Sequence, residues 1–446
     1  MIGKEDAFRI MEKTLSYAKG FDIETNLISE DLSLTRFYEN HIHQNLRRQD
    51  HILSVRTVKG GKVGIAQVNL LDDGSLRWVV NAAREAMEIA QEDPEFPGLP
   101  RPEPYSDINT YVSSTANLKP KDRADGCGVV ISRSSEKGLV ASGSFSTSIR
   151  EVAVASSLGV RAYNASTEAF FRTIVGSGQN TGYADRLARD SRDIDFEDVA
   201  REAIEKATLF PEAREIPPGR YDTIFLEYAV ADLLRFLGYI AFGAEAKQRS
   251  ISFMSRSMGE KVMGDSITIW DDGLDTRGFA IPFDREGVPK KKVVFVENGI
   301  AKGVVYDART AAKEGLKSTG HANPRYGGSP LPQNMFVAPG NATLEEMIRT
   351  TKKGLLVTRF HYTHCLEPLR LVATGTTRDG TFLIEDGEIS ARVNDLRFTE
   401  SVLEAFSRVD AISGTTRVTR DWWGTFTSVI PALRIRDFNF TRSTAF

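Results

Sequence analysis

A chain of 446 residues, 41% hydrophobic and 26% charged, is too long for one ordinary core and has the make-up of a globular protein of two or three domains. Its formal net charge of −3, with no basic run longer than Lys290-Lys291-Lys292, offers no footprint for a polyanion and argues against direct nucleic-acid binding. The two cysteines, Cys127 and Cys365, make no disulfide framework, and the opening MIGKEDAFRI lacks the apolar stretch of a secretory signal, so a reducing, cytoplasmic location is expected.

Residues 6–19 place Phe8, Met11, Leu15 and Ala18 on one helical face and run into Gly20, the pattern of an amphipathic helix with a C-terminal stop. Extended runs follow over 21–28, 32–37, 52–58 and 63–70, the last two joined as a hairpin about Lys59-Gly60-Gly61. Ser75 is expected to cap a second helix, 76–91, that buries Leu76, Val79, Ala83, Met87 and Ala90. The proline-rich stretch 95–105 reads as a connector, with a secondary boundary near 95–110. Strands are predicted over 139–149, 151–156, 159–162 and 169–175, and Asp195 opens a charged helix through Lys206. Pro211, Pro217, Pro218 and Gly219 mark the main boundary. The fold class is therefore α+β: an N-terminal domain, 1–215, with helices layered on an antiparallel sheet, then a β-rich domain, 216–446. The second domain opens with a strand over 223–226 and one apolar helix, 228–246, too short and too interrupted by Arg235 to cross a membrane.

Residues 315–339, GLKSTGHANPRYGGSPLPQNMFVAP, follow neither hydrophobic period and are broken by Gly315, Gly320, Gly327, Gly328, Pro324, Pro330 and Pro332. An irregular stretch longer than about 15 residues tends to be a binding loop or a lid, and the cations, aromatics and amides here (Lys317, His321, Arg325, Tyr326, Asn334) are not those of a flexible tether. His321 reads as a binding or loop-ordering residue. A Ser–His nucleophile with Ser318 lacks triad geometry and an identifiable acidic orienter, since Asp271-Asp272 and Asp284 with Glu286 read as turn chemistry.

His361, His364 and Cys365 gather two of six histidines and one of two cysteines. On a helix 361 and 364 would share a face, but residues 355–360 lead into them as a strand, where positions three apart point to opposite faces. A structural zinc normally takes four ligands, so packing beside a sheet is the favoured reading. His41 and His43 alternate onto one strand face within what reads as a solvated strand and turn.

Three runs carry a resemblance: GLKSTGHA at 315–322, the lead-in at 273–307, and TGTTRDGTFLIEDGEI at 374–389. They are similar to the TldD/PmbA family, also called modulators of DNA gyrase, and to its PmbA/TldE branch. In the TldD branch the resemblance implies a zinc peptidase whose metal is held by a His-Glu-x-x-x-His helix and a later Cys. The equivalent helix here reads Leu234-Arg235-Phe236-Leu237-Gly238-Tyr239, no His-Glu pair occurs anywhere, and no Cys follows Cys365. The resemblance therefore implies a non-catalytic subunit with no cofactor of its own. It would pair with a zinc-bearing TldD-type partner and shape a chamber for unfolded or leader-bearing peptides held in extended form. Lys317, Ser318, Thr319, His321 and Arg325 then become candidates for holding peptide or partner. Two alternatives are a homodimeric, non-enzymatic peptide- or protein-binding regulator, and a self-sufficient hydrolase built on His361, His364, Cys365 or His321.

Overall fold

The computed structural model describes residues 1–325, 327–421, 424 and 426–444. Its first sheet is antiparallel and six-stranded: β1 (Asp22–Tyr38), β2 (His41–Lys59), β3 (Lys62–Val68), β4 (Val140–Ser156), β5 (Arg161–Ser177) and β6 (Asn180–Ala188), in the order β3-β2-β1-β4-β5-β6. The β2–β3 turn forms where expected, with Gly60 and Gly61 both at positive φ (57° and 77°), as a right-twisted two-residue hairpin requires. The runs predicted at 21–28 and 32–37 are one strand of 17 residues, and β2 begins at His41 rather than 52. The polar run Ser29-Glu30-Asp31 hides this continuity, because Asp31 is satisfied by Arg47 and Gln49 from the next strand rather than by a turn. Likewise 139–149 and 151–156 are one strand, and β6 had no expected counterpart.

Along β1 and β4 the register runs unbroken, so odd-numbered residues share one face. Four helices cover it. The first pair, α1 (Lys4–Ser16) and α2 (Asp73–Ile89), packs on Ile23, Leu27, Leu53 and Val55. Asp72, not Ser75, caps α2: its Oδ1 accepts the Ser75 N–H at 3.1 Å, so the helix starts earlier than expected. After a short turn, α3 (Ser113–Ala116), come α4 (Pro120–Glu136) and α5 (Phe196–Thr208), which pack on Phe37, Phe145 and Phe171. Asp195 caps α5 as its sequence predicts, accepting from the Asp198 N–H at 3.1 Å.

The second sheet runs through β7 (Ala213–Arg214), β8 (Gly219–Phe225), β9 (Ile269–Asp271), β10 (Val293–Glu297), β11 (Ile300–Ala301), β12 (Asn334–Val337), β13 (Lys353–Glu367), β14 (Val372–Glu385), β15 (Glu388–Val393), β16 (Leu396–Ser401), β17 (Val409–Arg420) and β18 (Thr427–Ser443). Strand β18 pairs with β8, β12, β16 and β17. Because β8 also pairs with β13, β13 with β14 and β14 with β16, the path β18-β8-β13-β14-β16 returns to β18. This small closed ring is filled by aromatic residues, with Phe360–Phe398 centroids 4.4 Å apart and Phe225–Phe438 centroids 4.7 Å apart.

The apolar helix predicted over 228–246 is instead α6 (Glu227–Phe236), one π turn over Leu237–Ala241, and a separate short helix, α7 (Ala244–Gln248). At the break the backbone pairs with Val305 instead: the Ala244 N–H donates to the Val305 carbonyl at 2.9 Å and the Val305 N–H to the Phe242 carbonyl at 2.8 Å. The backbone of Pro330 crosses at Gly243, where an added Cβ would lie 2.5 Å from the Pro330 carbonyl oxygen. No helix among the described residues is long and apolar enough to cross a membrane.

The two sheets meet through the even-numbered face of the first. Val154 and Ala162 pack on Phe283, Asn26 Nδ2 donates to the Arg285 carbonyl at 3.3 Å, and Arg56 bridges Glu24 and Glu286.

Candidate functional site

Three places collect the chemistry marked in the sequence. The first is the polar side of α6 and its π turn. Gly238 lies against Met335, where a Cβ would come within 2.9 Å of its methyl carbon, which draws the helix close to the second sheet. Arg235 Nε stands 3.6 Å from Asp232 Oδ1, and its Nη2 donates to Thr363 Oγ1 on β13 at 2.6 Å. The Tyr239 hydroxyl donates to Asp421 Oδ2 at 3.2 Å. Nearby, Arg359 is ion-paired with Asp379. Burial pushes Asp232 up to about 6, even though Arg235 and Arg359 pull the other way.

The donors do not fit a zinc ion. A guanidinium has no free lone pair, and a phenol ordinarily keeps its proton until about pH 10. At the two imidazole positions of a His-Glu-x-x-x-His helix this one presents Leu234, buried in the apolar core, and Tyr239, and at the Glu position Arg235; Arg235 and Tyr239 are each already hydrogen-bonded within the protein.

Asp232 gives this face a pH signature. Its folded pKa lies above the unfolded value of about 4, so its contribution to stability is full below that pH and is lost as pH rises through about 6. Asp232→Asn is therefore expected to gain roughly 2 kcal/mol on the wild type between pH 4.5 and 7 in urea denaturation. Parallel stability curves across that range would remove Asp232 as the titrating group.

The second place is the β13 segment. His361 pairs with Thr376 and His364 with Thr374, with a bulge between them at which Tyr362 takes φ 54°. The bulge corrects the reading made from simple alternation: its extra residue cancels the odd spacing and turns His361 and His364 toward the same side. Cys365, opposite Ala373, falls on the other. Burial, and then the Arg359 and Arg378 cations, lower the His361 pKa. Among the described residues no three His, Cys, Asp or Glu side chains converge as a metal site.

The third place is the stretch 315–339. It ends not as loop but as β12, parallel to β18, because Asn334–Val337 is buried in the second sheet. Lys317 and Arg325 face solvent, and Tyr326 lies outside the described residues. Ser318 Oγ and Thr319 Oγ1 both donate to the Tyr306 carbonyl, at 3.1 and 3.0 Å, which orders the loop. His321 is fully buried, with Nε2 2.9 Å from Asp271 Oδ1 and Nδ1 2.8 Å from the Thr319 carbonyl oxygen. Asp271 is thus the acidic partner that the sequence reading treated as turn chemistry. Its other oxygen accepts the Gln333 and Asn334 N–H groups at 2.7 Å each. Lys290, equally buried, stands close by with no hydrogen bond to its Nζ, and Asp284 accepts the N–H groups of Glu286, Val288 and Ala322. Burial is the largest influence on the His321 pKa and lowers it, with Lys290 acting the same way. Each ring nitrogen of His321 is engaged by Thr319 or Asp271, so Ser318 gains no base from it.

Comparison with known proteins agrees with this architecture. Residues 218–442 match the PmbA/TldA metallopeptidase C-terminal domain and residues 108–209 match the corresponding central domain. An uncharacterized protein of Methanocaldococcus jannaschii is 27% identical over 299 residues, covering 66% of this chain and 68% of that protein. A metalloprotease of Methanothermobacter thermautotrophicus is 28% identical over 237 residues, 50% of this chain and 49% of its own length, so the match spans about half of that relative. The crystal structure of TldE from Thermococcus kodakarensis superposes with a TM-score of 0.88 at 22% identity, covering 98% of this chain and 99% of that one.

Proposed function

The chain belongs to the PmbA/TldD metallopeptidase family, and from that membership we propose that it is the subunit without a zinc centre, assisting a TldD-type partner in cutting extended peptides. The observation that carries the reading is the side-chain set on α6 and its π turn: Leu234 and Tyr239 take the two His positions of the family's metal-binding helix and Arg235 takes that of its Glu. The TldE-like architecture supports it as well.

Two features suit a wall of a peptide chamber. Residues 41–52 of β2 pair with β1 on one side, while β3 begins its pairing only at Leu53. The outer edge of that arm is a row of backbone donors and acceptors on which an extended chain can add as a strand with little demand on its sequence. On the ordered 315–339 stretch, Lys317 and Arg325 project to solvent from a base fixed by Ser318, Thr319 and His321.

The test is to purify the chain alone and with a TldD-type partner, then measure bound zinc and cleavage of an unfolded peptide. The pair should cleave with zinc held by the partner. Stoichiometric zinc and cleavage by this chain alone would overturn the proposal. Within an active pair, the Lys317→Ala, Arg325→Ala double variant is expected to slow cleavage about tenfold while the partner's zinc content stays constant. Unchanged cleavage would take the loop out of peptide or partner contact.

A further inference from the structure

The helix pairs α1–α2 and α4–α5 leave the middle of their sheet face uncovered. Asp31, Asn45 and Arg47 point to that face, and the Leu118-Lys119 segment ahead of α4 closes it into a cavity of about 430 Å³, within the range of small-ligand sites. Arg123, from the first turn of α4, forms part of the wall and is only 2% exposed.

Arg123 is a buried cation short of counter-charge. Its Nη1 donates to the Leu118 carbonyl at 3.2 Å, its Nη2 reaches Asn45 Oδ1 at 3.4 Å, and its Nε has no partner. Both partners are neutral, and no carboxylate pairs with it among the described residues. Cys127, one helical turn on, supplies no charge, because burial pushes its thiol up to about 12. The cavity's one carboxylate, Asp31, is already committed: Arg47 Nε donates to it at 2.8 Å and Gln49 Nε2 at 2.7 Å. With Arg47 and Lys119 also in the wall, cations outnumber carboxylates three to one. A guanidinium stays charged and presents five N–H donors in a planar fork matched to two oxygens of one anion, and leaving such a cation buried without a counter-ion is costly.

We propose that this cavity binds a small oxyanion, of the carboxylate or phosphate class, whose oxygens complete the hydrogen bonding of Arg123. The assignment does not depend on the subunit role proposed above.

The experiment titrates the intact protein, by calorimetry and thermal melting at constant ionic strength, with inorganic phosphate, with N-acetyl-Ala-Ala, and with the amide of that dipeptide. Saturable binding of phosphate or of the free carboxylate, but not of the amide, is expected, and the arm that responds identifies the source of the anion. Arg123→Lys keeps the charge and loses the fork, while Asn45→Leu leaves Arg123 in place and fills the space beside it. Each should weaken binding by about tenfold or more. If Arg123→Lys fails to fold, Asn45→Leu, on the arm of β2, decides alone. Absence of saturable binding by either anion, or binding left unchanged by Asn45→Leu, would overturn the assignment.

Discussion

Replacing His321 with alanine is expected to lower the unfolding free energy by about 3–5 kcal/mol, from the lost hydrogen bond to a buried carboxylate together with the cavity left by the ring. The cause lies in what remains. Asp271 has no solvent exposure, and burial alone would raise its pKa. Contact with His321, then Lys290 and the Asn334 amide, outweigh that and hold the carboxyl below its ordinary value. Alanine at 321 leaves Asp271 Oδ1 unpaired beside a cavity the size of an imidazole, whereas the Gln333 and Asn334 contacts to Oδ2 still favour the charged form. Urea denaturation checks this, with Asp271→Asn, His321→Ala as the double variant. The pair should cost less than the sum of the singles, because the stranded charge is gone. A loss under about 1 kcal/mol for His321→Ala would show that the pair is not a structural clamp. Lys317→Ala, on the same loop but exposed, should change stability by no more than about 0.5 kcal/mol. The contrast separates residues that build the loop from those it displays.

The other large effect concerns the contact between the two sheets. Arg56 Nη2 donates to Glu24 Oε2 at 2.8 Å and Nη1 to Glu286 Oε1 at 2.9 Å, all three side chains being buried. Glu24 faces Arg56 across the β1–β2 ladder, but Glu286 arrives from 230 residues away in sequence. Arg56→Ala removes the cation of the triad and leaves its two carboxylates confined together, so a loss of at least about 4 kcal/mol is expected. If the charge is what matters, Glu24→Gln, Arg56→Met, Glu286→Gln together should recover most of it, since an apolar or neutral replacement of a whole buried network is often near neutral. Denaturation that splits into two transitions in Arg56→Ala would further mark this triad as one of the links between the sheets, beside contacts such as Arg420–Glu168 and Thr181–Asp379.

How much of this is legible in the sequence depends on how far apart the interacting residues lie. The 315–339 stretch stands out through its glycines and prolines, and the caps of α5 and the β2–β3 turn follow from Asp195 and from Gly60-Gly61, because local backbone geometry alone decides them. Helix α4 has no counterpart in the sequence pattern, although Pro120 and Asp122 mark its start. Gly126 and Gly128 argue against a helix, yet Gly126 lies where a Cβ would fall 2.6 Å from the Phe196 ring, so its smallness is what lets α4 meet α5. Asp271 could not be matched to His321 across 50 residues, since nothing in a short acidic pair tells a turn from a buried clamp. The bulge at Tyr362, which sets the facing of His361 and His364, depends on pairing with β14 and has no signal within β13 itself.

The position of β18 in its sheet has a bearing on synthesis. The first sheet has all six strands by residue 188 and can close while the ribosome is still working. In the second, β8 must wait for β18, with Asp222 and its ion-pair partner Arg436 lying 214 residues apart. At roughly 5–20 residues per second, β8 emerges about 10–40 seconds before the strand that completes its pairing, and through that interval the edge that β18 will cover, opposite the one that β13 takes, is open to any other strand that comes by. Newborn chains stalled before residue 427 should therefore call on chaperones far more than those stalled just beyond residue 210.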